Sequence, residues 1–347
     1  MIMSNLNRRD FLKISISAGA ATSGMLSAPA MHAQMFKKPD WRIIDMHTHL
    51  IRQVRPPLPR DEDLRSNPLT SHYTWHEHNG DLLVAEMNVA GVSQALVKTY
   101  EAADLAIALR RFGMDPAEFQ TGEAYMLPWI RKYADRLLWA AVFNPTRTDM
   151  MAEWKRRIEG DELKAVVFRP PFFPRNPIND RTHREILDWC SANRKPVMMT
   201  FEGIVPPDTP DQAEYLSWFG EVVDAYPGIR FCLMHMGFDE LAQLARVPLF
   251  RLVNELNERH GNVWFETAMH VDYTYPYRGY LEKLEMLYQA VGRDRIMWST
   301  DWPWTEPWSK YFQHVQAVLE NAHFLSQDEK RLFLGENAVA YLGISQV

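Results

Sequence analysis

The sequence predicts an α/β fold of the (β/α)8 TIM-barrel class, and three observations favour it. Eight short apolar segments recur along the chain, each separated from the next by a stretch with helical spacing. The segments are apolar throughout rather than alternating, as is typical of parallel strands covered on both faces. Histidine and acidic residues follow several of them, at the end where such barrels gather their functional groups.

The predicted strands and helices alternate regularly after a long loop, residues 51–80, which is rich in proline and charged residues. The strands are predicted at Trp41–Leu50, Ser93–Lys98, Leu137–Phe143, Leu163–Arg169, Pro196–Phe201, Arg230–Met236, Val263–Met269 and Arg295–Asp301. Helices are predicted at Asp81–Ala90, Ala102–Arg111, Glu123–Ala134, Asp149–Ile158, Asp180–Asn193, Asp211–Ala225, Asp239–Arg259, Tyr280–Val291, Ser309–Asn321 and Gln327–Tyr341. Gly91 is a C-terminal stop signal, Asp180 an N-cap, and Ser326 with Glu329 a capping box.

Composition describes an ordinary soluble globular chain of 347 residues. Hydrophobic residues make up 46%, charged residues 24%, and the net charge is −6, with no basic stripe. We therefore expect no nucleic-acid partner. No linker or repeat divides residues 34–347, so we expect one barrel domain there.

The first 33 residues differ from the rest and are similar to a twin-arginine export signal. Arg8 and Arg9 precede a modest apolar run, residues 14–26, and then the small-residue sequence Ala28-Pro29-Ala30, which suits cleavage. The apolar run is too short to cross a bilayer, so we expect no stable membrane anchor. These features predict engagement of the twin-arginine export machinery and a periplasmic mature protein.

Two cysteines occur, and neither indicates a disulfide framework or a cysteine-based metal site. Cys190 lies in a helical pattern and Cys232 in a strand, where both are expected to be small buried apolar residues. A bridge formed after export is the alternative.

The first strand ends in a His-x-His pair. Side chains two apart on a strand point to the same face, so His47 and His49 aim at one spot, with Asp45 on the same parity. Histidine is the commonest metal ligand, and such a pair could form half of a metal site or a merely polar strand end.

Other strands end in residues of matching chemistry. Arg169 ends strand four, His235 lies at the end of strand six, Glu266 lies in strand seven, and Asp301 ends strand eight. In a barrel these ends meet at one mouth, and buried histidine and aspartate without partners would be costly. The sequence therefore predicts a functional site at that mouth.

The chain resembles the amidohydrolase superfamily, specifically its amidohydrolase-related group, over Trp41–Ile344. The resemblance is carried by the segments Asp45-Met46-His47-Thr48-His49, His235-Met236-Gly237, Ser299-Thr300-Asp301-Trp302-Pro303 and Gly335-Glu336-Asn337-Ala338. It implies that His47, His49 and Asp301 bind one divalent metal ion, with Asp301 also the base. It further implies that His235 contacts metal or substrate.

The chain departs from the family pattern in strand five. Where many members carry a histidine, this chain has Thr200, followed by Glu202 as an alternative ligand. Three protein ligands still suffice for a catalytic zinc, or for manganese. The resemblance to metal-free pyrone-dicarboxylate lactonases leaves metal-free operation open.

The resemblance implies hydrolysis of a lactone, ester or amide of a small substrate. Arg169 is expected to clamp a substrate carboxylate or to form a rim salt bridge. His76, His270 and Trp302 are expected to line the substrate pocket, although packing alone would also explain Trp302. Two alternatives stay open: a decarboxylase of an aromatic or unsaturated acid on the same site, and a non-catalytic periplasmic binding protein. The sequence does not indicate an oligomeric state.

Overall fold

Eight parallel strands follow one another around a nearly closed barrel. The computed structural model describes residues 38–53, 77–100, 117, 119–145, 162–169, 178–200, 212–237, 246–268, 276–306 and 309–345. The barrel strands are β1 (Ile44–Thr48), β2 (Gln94–Thr99), β3 (Leu137–Phe143), β4 (Leu163–Phe168), β5 (Val197–Met199), β6 (Phe231–Leu233), β7 (Val263–Glu266) and β8 (Ile296–Met297). Each pairs in parallel with the next, which confirms the predicted barrel.

The last strand is shorter than predicted, yet the chain beyond it closes the barrel. β8 pairs regularly with β7 over two residues, against the predicted Arg295–Asp301. Beyond β8 the backbone hydrogen-bonds to β1 instead: Met46 N donates to Trp298 O at 3.1 Å, and Asp301 N donates to His47 O at 2.9 Å. Closure therefore brings Asp301 beside the His-x-His pair.

Helices lie in the connections between the strands, and three of them have the predicted capping signals at their ends. They are α1 (Gly80–Ala90), α2 (Glu123–Lys132), α3 (Arg181–Ala192), α4 (Gln212–Ala225), α5 (Arg246–Arg259), α6 (Arg278–Val291), α7 (Tyr311–Gln316), α8 (Gln327–Arg331) and α9 (Asn337–Leu342). Helix α1 ends at Gly91 in the left-handed conformation, Asp180 caps α3, and Ser326 with Glu329 caps α8 reciprocally. Two π-helical turns, Ala317–Asn321 and Leu332–Glu336, extend α7 and join α8 to α9.

The barrel interior is one apolar cluster that draws residues from all eight strands. Ile44, Leu96, Val167 and Met198 belong to it, and four side chains of α9 are also members. Cys232 also lies in this cluster, and both cysteines are buried and free, as expected for structural residues.

One segment that the sequence predicts as loop forms a strand of a small, separate sheet. Residues Arg52–Gln53, predicted as loop, pair antiparallel with Phe119–Gln120. The helices predicted at Ala102–Arg111 and Asp149–Ile158, and the export signal, lie outside the described residues.

The Gly335-Glu336-Asn337-Ala338 segment fastens the C-terminal helices to the barrel. A Cβ at Gly335 would lie 2.0 Å from Arg42 O, so only glycine allows this approach. Asn337 Nδ2 donates to Ile296 O at 2.8 Å and to Arg293 O at 3.1 Å.

Among the described helices, none has the length and apolar composition needed to cross a bilayer.

Candidate active site

An irregularity in β1 turns both histidines toward the barrel axis. The register with β2 shifts between Asp45 and Thr48, so regular alternation is broken there. Ile44 and Met46 belong to the interior cluster, and His47 and His49 also converge inside the mouth. The expectation that Asp45 shares their face is wrong, because its carboxylate bonds to Tyr311 on α7.

Three ligand-type atoms meet at this point. His47 Nε2 and His49 Nε2 are 3.0 Å apart, and Asp301 Oδ1 lies 3.2 Å and 3.1 Å from them respectively. All three residues are almost completely buried. The structure thus brings together the three residues predicted from sequence to bind a metal.

The outer ring nitrogens of the two histidines are engaged by acceptors. His47 Nδ1 lies 2.8 Å from Glu266 Oε1, and His49 Nδ1 lies 3.2 Å from Lys98 O. A backbone carbonyl and an ionised carboxylate both accept hydrogen bonds, so we assign the proton of each imidazole to Nδ1. Both Nε2 lone pairs then face the Asp301 carboxylate.

This donor set fits a divalent metal ion. Three lone-pair-bearing atoms so close together repel unless a cation or a proton lies between them. Zinc with tetrahedral bonds of about 2.0–2.2 Å separates its ligand atoms by roughly 3.3–3.5 Å, close to the separations observed here. His47, His49 and Asp301 together form a candidate metal site with three protein ligands.

The protonation states also suit a metal. Burial, reinforced by the charge of Lys98, lowers the pKa of His47 well below its usual value. Burial likewise lowers the pKa of His49. Burial alone would raise the pKa of Asp301, but the adjacent imidazoles outweigh it and hold that pKa below its usual value. Neutral imidazoles beside a carboxylate are the forms that bind cations.

His235 lies on the opposite side of the Asp301 carboxylate. Its Nε2 is 4.0 Å from Asp301 Oδ2, and its ring stacks on that of His47 with centroids 5.0 Å apart. Thr200 Oγ1 lies 3.4 Å from His235 Nδ1, so the residue that replaces the family histidine supports His235. Glu202, the alternative ligand, lies outside the described residues.

Both His235 and Asp301 have left-handed backbone conformations, with φ of 56° and 61°. Such angles are uncommon for residues other than glycine and cluster at functional sites.

Asp45 holds the backbone turn at Asp301 in place. Its carboxylate accepts hydrogen bonds from Thr300 N at 3.1 Å, Thr300 Oγ1 at 2.7 Å and Tyr311 Oη at 2.8 Å.

Glu266 is the residue whose role sequence reasoning missed. It is fully buried and accepts hydrogen bonds from His235 N at 3.1 Å and Ala268 N at 2.6 Å, besides contacting His47. Lys98 Nζ lies 3.9 Å from Glu266 Oε1, and burial lowers the pKa of this lysine to about 8. A carboxylate at the end of the apolar strand Val263–Glu266 was the available signal, because such a group must be paired.

Two of the remaining predicted site residues, Arg169 and Trp302, are among the described residues, and two are not. Arg169 is 7% exposed, and its guanidinium carbon lies 5.8 Å from the ring centroid of Tyr100. Trp302 is 1% exposed, and its indole nitrogen donates to Glu306 Oε1 at 3.2 Å. His76 and His270 lie outside the described residues.

Comparison with known proteins identifies the protein family to which this chain belongs. The amidohydrolase family model matches residues 44–344, so the chain belongs to the amidohydrolase family. No curated protein sequence matches the chain at a significant level.

Solved structures share the fold at low sequence identity. An amidohydrolase from Burkholderia multivorans with bound zinc aligns with a TM-score of 0.61 and 16% identity, covering 88% of this chain and 100% of that one. A probable 2-pyrone-4,6-dicarboxylic acid hydrolase from Acinetobacter baumannii with bound citric acid gives 0.58 and 15%, covering 87% and 100%. The 2,6-dihydroxybenzoate decarboxylase from Rhizobium gives 0.59 and 16%, covering 87% and 99%. The likeness therefore extends to both hydrolases and decarboxylases.

Proposed function

We propose that the protein is a metal-dependent hydrolase acting on a lactone, ester or amide of a small carboxylated or aromatic substrate. The observation that carries this proposal is the convergence of His47 Nε2, His49 Nε2 and Asp301 Oδ1 within 3.2 Å of one another. Zinc in the related Burkholderia structure supports zinc as the first candidate, with manganese as the alternative. Metal-free action remains a distinct outcome of the test below.

The residues divide the work of hydrolysis between them. A bound divalent ion would polarise the substrate carbonyl and make water more acidic. Asp301, ionised at neutral pH, takes a proton from the attacking water and passes it to the leaving group. His235, which faces the other carboxylate oxygen of Asp301 at 4.0 Å, orients the substrate carbonyl. The chain thus supplies both the base and the orienting group.

Substrate recognition is assigned to Arg169 and its surroundings. The Tyr100 ring packs edge-on against His49 with centroids 5.0 Å apart, and Arg169 lies over the same ring. Arg169 is therefore one aromatic ring away from the ligand cluster. A planar guanidinium there suits a substrate carboxylate through two parallel hydrogen bonds. Trp302, His76 and His270 stay proposed pocket residues.

Decarboxylation of an aromatic or unsaturated acid is the second candidate. The structural relatives include the Rhizobium decarboxylase. A metal on the same ligands would hold the substrate carboxylate. In that reaction Asp301 would deliver a proton to carbon and would have to be protonated beforehand. Hydrolysis instead uses the ionised form of Asp301, so the two reactions require opposite protonation states of this residue. A non-catalytic binding protein is the third candidate and would need no base at all.

Metal analysis joined to an activity screen tests the proposal. We expect about one zinc or manganese per chain in the purified protein and loss of the metal in His49→Ala. His323→Ala, at an exposed histidine, is the matched control and should retain it. Hydrolysis of carboxylated aryl esters and lactones, without carbon dioxide release from hydroxybenzoates, is the expected activity. Metal-free protein with full activity would contradict the metal assignment, and tight ligand binding with neither activity would favour the binding protein.

Export and a periplasmic location are proposed from residues 1–33. Replacement of Arg8 and Arg9 by lysine should leave the protein in the cytoplasmic fraction of a bacterium with a twin-arginine pathway. Export of the unchanged and the doubly substituted chain to the same extent would contradict this assignment.

A further inference from the structure

Tyr100 is the first residue beyond β2, and its backbone is fixed at the mouth of the barrel. Its N–H donates to Thr121 O at 3.4 Å, and Thr121 Oγ1 donates to its carbonyl oxygen at 2.8 Å. Side chains two residues apart on a strand share a face, and that of Lys98 reaches Glu266 inside the barrel. The Tyr100 side chain therefore also points inward, and its ring lies edge-on against His49 with centroids 5.0 Å apart.

The hydroxyl group of Tyr100 has a hydrogen to donate but no acceptor for it among the described residues. The residue is 2% exposed, and its Oη makes no hydrogen bond of ordinary length within that part of the chain. The indole of Trp304 interacts with this hydroxyl, but an indole can only donate. A buried donor left in this state costs free energy and calls for an explanation.

An unpaired hydroxyl does not by itself define a binding site. Tyr288 and Tyr341 are also buried, and within the described ranges their hydroxyl groups make no hydrogen bond. Both of their rings pack against other aromatic rings. Tyr100 differs from them because its ring contacts the candidate metal ligand His49 and lies under the guanidinium of Arg169.

The charged groups of the candidate active site act on the Tyr100 hydroxyl. Burial raises the pKa of Tyr100 above its usual value, so the hydroxyl keeps its hydrogen at neutral pH. Arg169 and Asp301 act on the same pKa in opposite directions, Arg169 more strongly. The hydroxyl therefore lies within the electrostatic field of both the proposed carboxylate clamp and the proposed base.

A carboxylate bound to Arg169 would supply the acceptor that the hydroxyl lacks. A guanidinium donates two parallel hydrogen bonds to a carboxylate, and each carboxylate oxygen has a second lone pair for a further donor. The guanidinium carbon of Arg169 lies 5.8 Å from the ring centroid of Tyr100, so the two side chains can share one anion.

We propose that Tyr100 is a substrate-binding residue whose hydroxyl donates a hydrogen bond to the substrate carboxylate that Arg169 binds. This inference rests on the proposed function and narrows it, because the substrate is then a carboxylate anion rather than an uncharged ester or amide. The carboxylate is not the group that is cleaved. Tyr100 therefore contributes to substrate binding and not to the bond-breaking step.

Urea unfolding of Tyr100→Phe tests the state of the hydroxyl without any substrate. The substitution removes only a hydroxyl whose hydrogen is unpaired, so its effect on the unfolding midpoint should be small. Tyr311→Phe is the contrast, because the Tyr311 hydroxyl donates to Asp45 Oδ2 at 2.8 Å, and its loss should lower the midpoint clearly. A midpoint lowered as much in Tyr100→Phe as in Tyr311→Phe would overturn the proposal, since the hydroxyl would then be paired within the protein.

Steady-state kinetics test the recognition of the carboxylate. The probes are the carboxylated aryl ester or lactone that the activity screen identifies and the same compound with its carboxylate blocked as a methyl ester. Tyr100→Phe should raise KM for the carboxylated compound by about 10- to 100-fold and leave kcat within about twofold. Its preference for the carboxylate over the methyl ester, as the ratio of kcat/KM values, should fall by the same factor.

Tyr288→Phe is the matched control, because it removes another buried, unpaired hydroxyl, and it should leave KM and the preference unchanged. An unchanged preference in Tyr100→Phe, with hydrolysis intact, would sink the role of Tyr100 and spare the proposed function.

Hydrolysis of none of the tested compounds by the unchanged protein would instead contradict the proposed function, and benzoate then replaces the substrate as probe. Benzoate should raise the melting temperature of the unchanged protein, uncharged benzamide should not, and the rise should shrink in Tyr100→Phe. No rise with benzoate, or an equal rise in Tyr100→Phe, would count against Tyr100 as a carboxylate-binding residue.

Discussion

Glu266 Oε1 lies 2.8 Å from His47 Nδ1, on the side of the imidazole opposite the candidate metal site. The contact fixes the ring orientation and the tautomer that presents Nε2 to Asp301 and His49. Glu266 contacts Nδ1 of His47 rather than the Nε2 that faces Asp301, so we assign it the role of a positioning residue that acts through His47. Carboxylate partners of this kind increase the basicity of a metal-binding histidine.

Glu266→Gln should therefore weaken metal binding by about 10- to 100-fold while the chain still folds. The substitution keeps the size of the side chain but removes the negative charge facing His47. Metal affinity is measured by competition with a chelator of known affinity, and folding by circular dichroism. Glu282→Gln, on the exposed surface of α6, is the matched control. Unchanged metal affinity in Glu266→Gln would show that the charge of Glu266 does not tune the site.

Asp45→Asn should loosen the turn that presents Asp301. Asp45 accepts hydrogen bonds from both polar groups of Thr300, the residue before Asp301, and from Tyr311. An amide has one acceptor oxygen, so at least one buried donor loses its partner, at a cost of about 1–3 kcal/mol. Urea unfolding measures this loss, and Asp328→Asn on the surface should show little change. Equal stability of Asp45→Asn and the unchanged chain would contradict the bracing role.

Much of the barrel could be predicted because its strands are local apolar runs bounded by clear capping signals. β3 occupies the predicted range Leu137–Phe143, and α1 ends at Gly91 as predicted. The ends of β6 and β8 could not be predicted, because His235 and Asp301 leave the strand geometry through left-handed turns. Those turns depend on contacts distant in sequence and leave no local pattern.

The arrangement of the candidate site could also be predicted from the sequence only in part. Barrel topology alone brings His47, His49, His235 and Asp301 to one mouth, since each lies at or just after the end of a strand. The position of Asp45 was predicted wrongly, because strict alternation overlooks an irregularity that depends on pairing with β2. The partners of Glu266 come from β1 and from the turn after β6, which no single sequence segment reveals.

Gly335→Ala should destabilise the protein by about 1–3 kcal/mol or more, because a methyl group has no room there. The added Cβ would lie 2.0 Å from Arg42 O, so the C-terminal helices would have to move away from β1. Thermal unfolding checks the effect. Gly228→Ala is the matched control: its Cβ would meet nothing within 4 Å, so a change within about 0.5 kcal/mol is expected. Equal melting temperatures for the two variants would show that the C-terminal helices yield easily.

His314 makes the stability of the fold depend on pH. Burial lowers its pKa from the usual 6.5 to about 3, and Ser309 Oγ lies 2.7 Å from its Nε2. Below pH 6.5 the unfolded chain binds a proton at this residue that the folded chain does not accept. Its contribution is therefore complete above pH 6.5 and is lost as the pH falls toward 3.

Between pH 7 and pH 5 the unchanged protein should accordingly lose about 2 kcal/mol more free energy of unfolding than His314→Gln. Glutamine carries no titratable group and can still hydrogen-bond to Ser309, so comparing the two chains cancels contributions from the carboxylates. Urea unfolding at several pH values measures the difference. His323→Gln, at an exposed histidine in water in both states, should follow the unchanged protein. Parallel pH profiles for the unchanged protein and His314→Gln would mean that the buried imidazole accepts a proton in the folded chain.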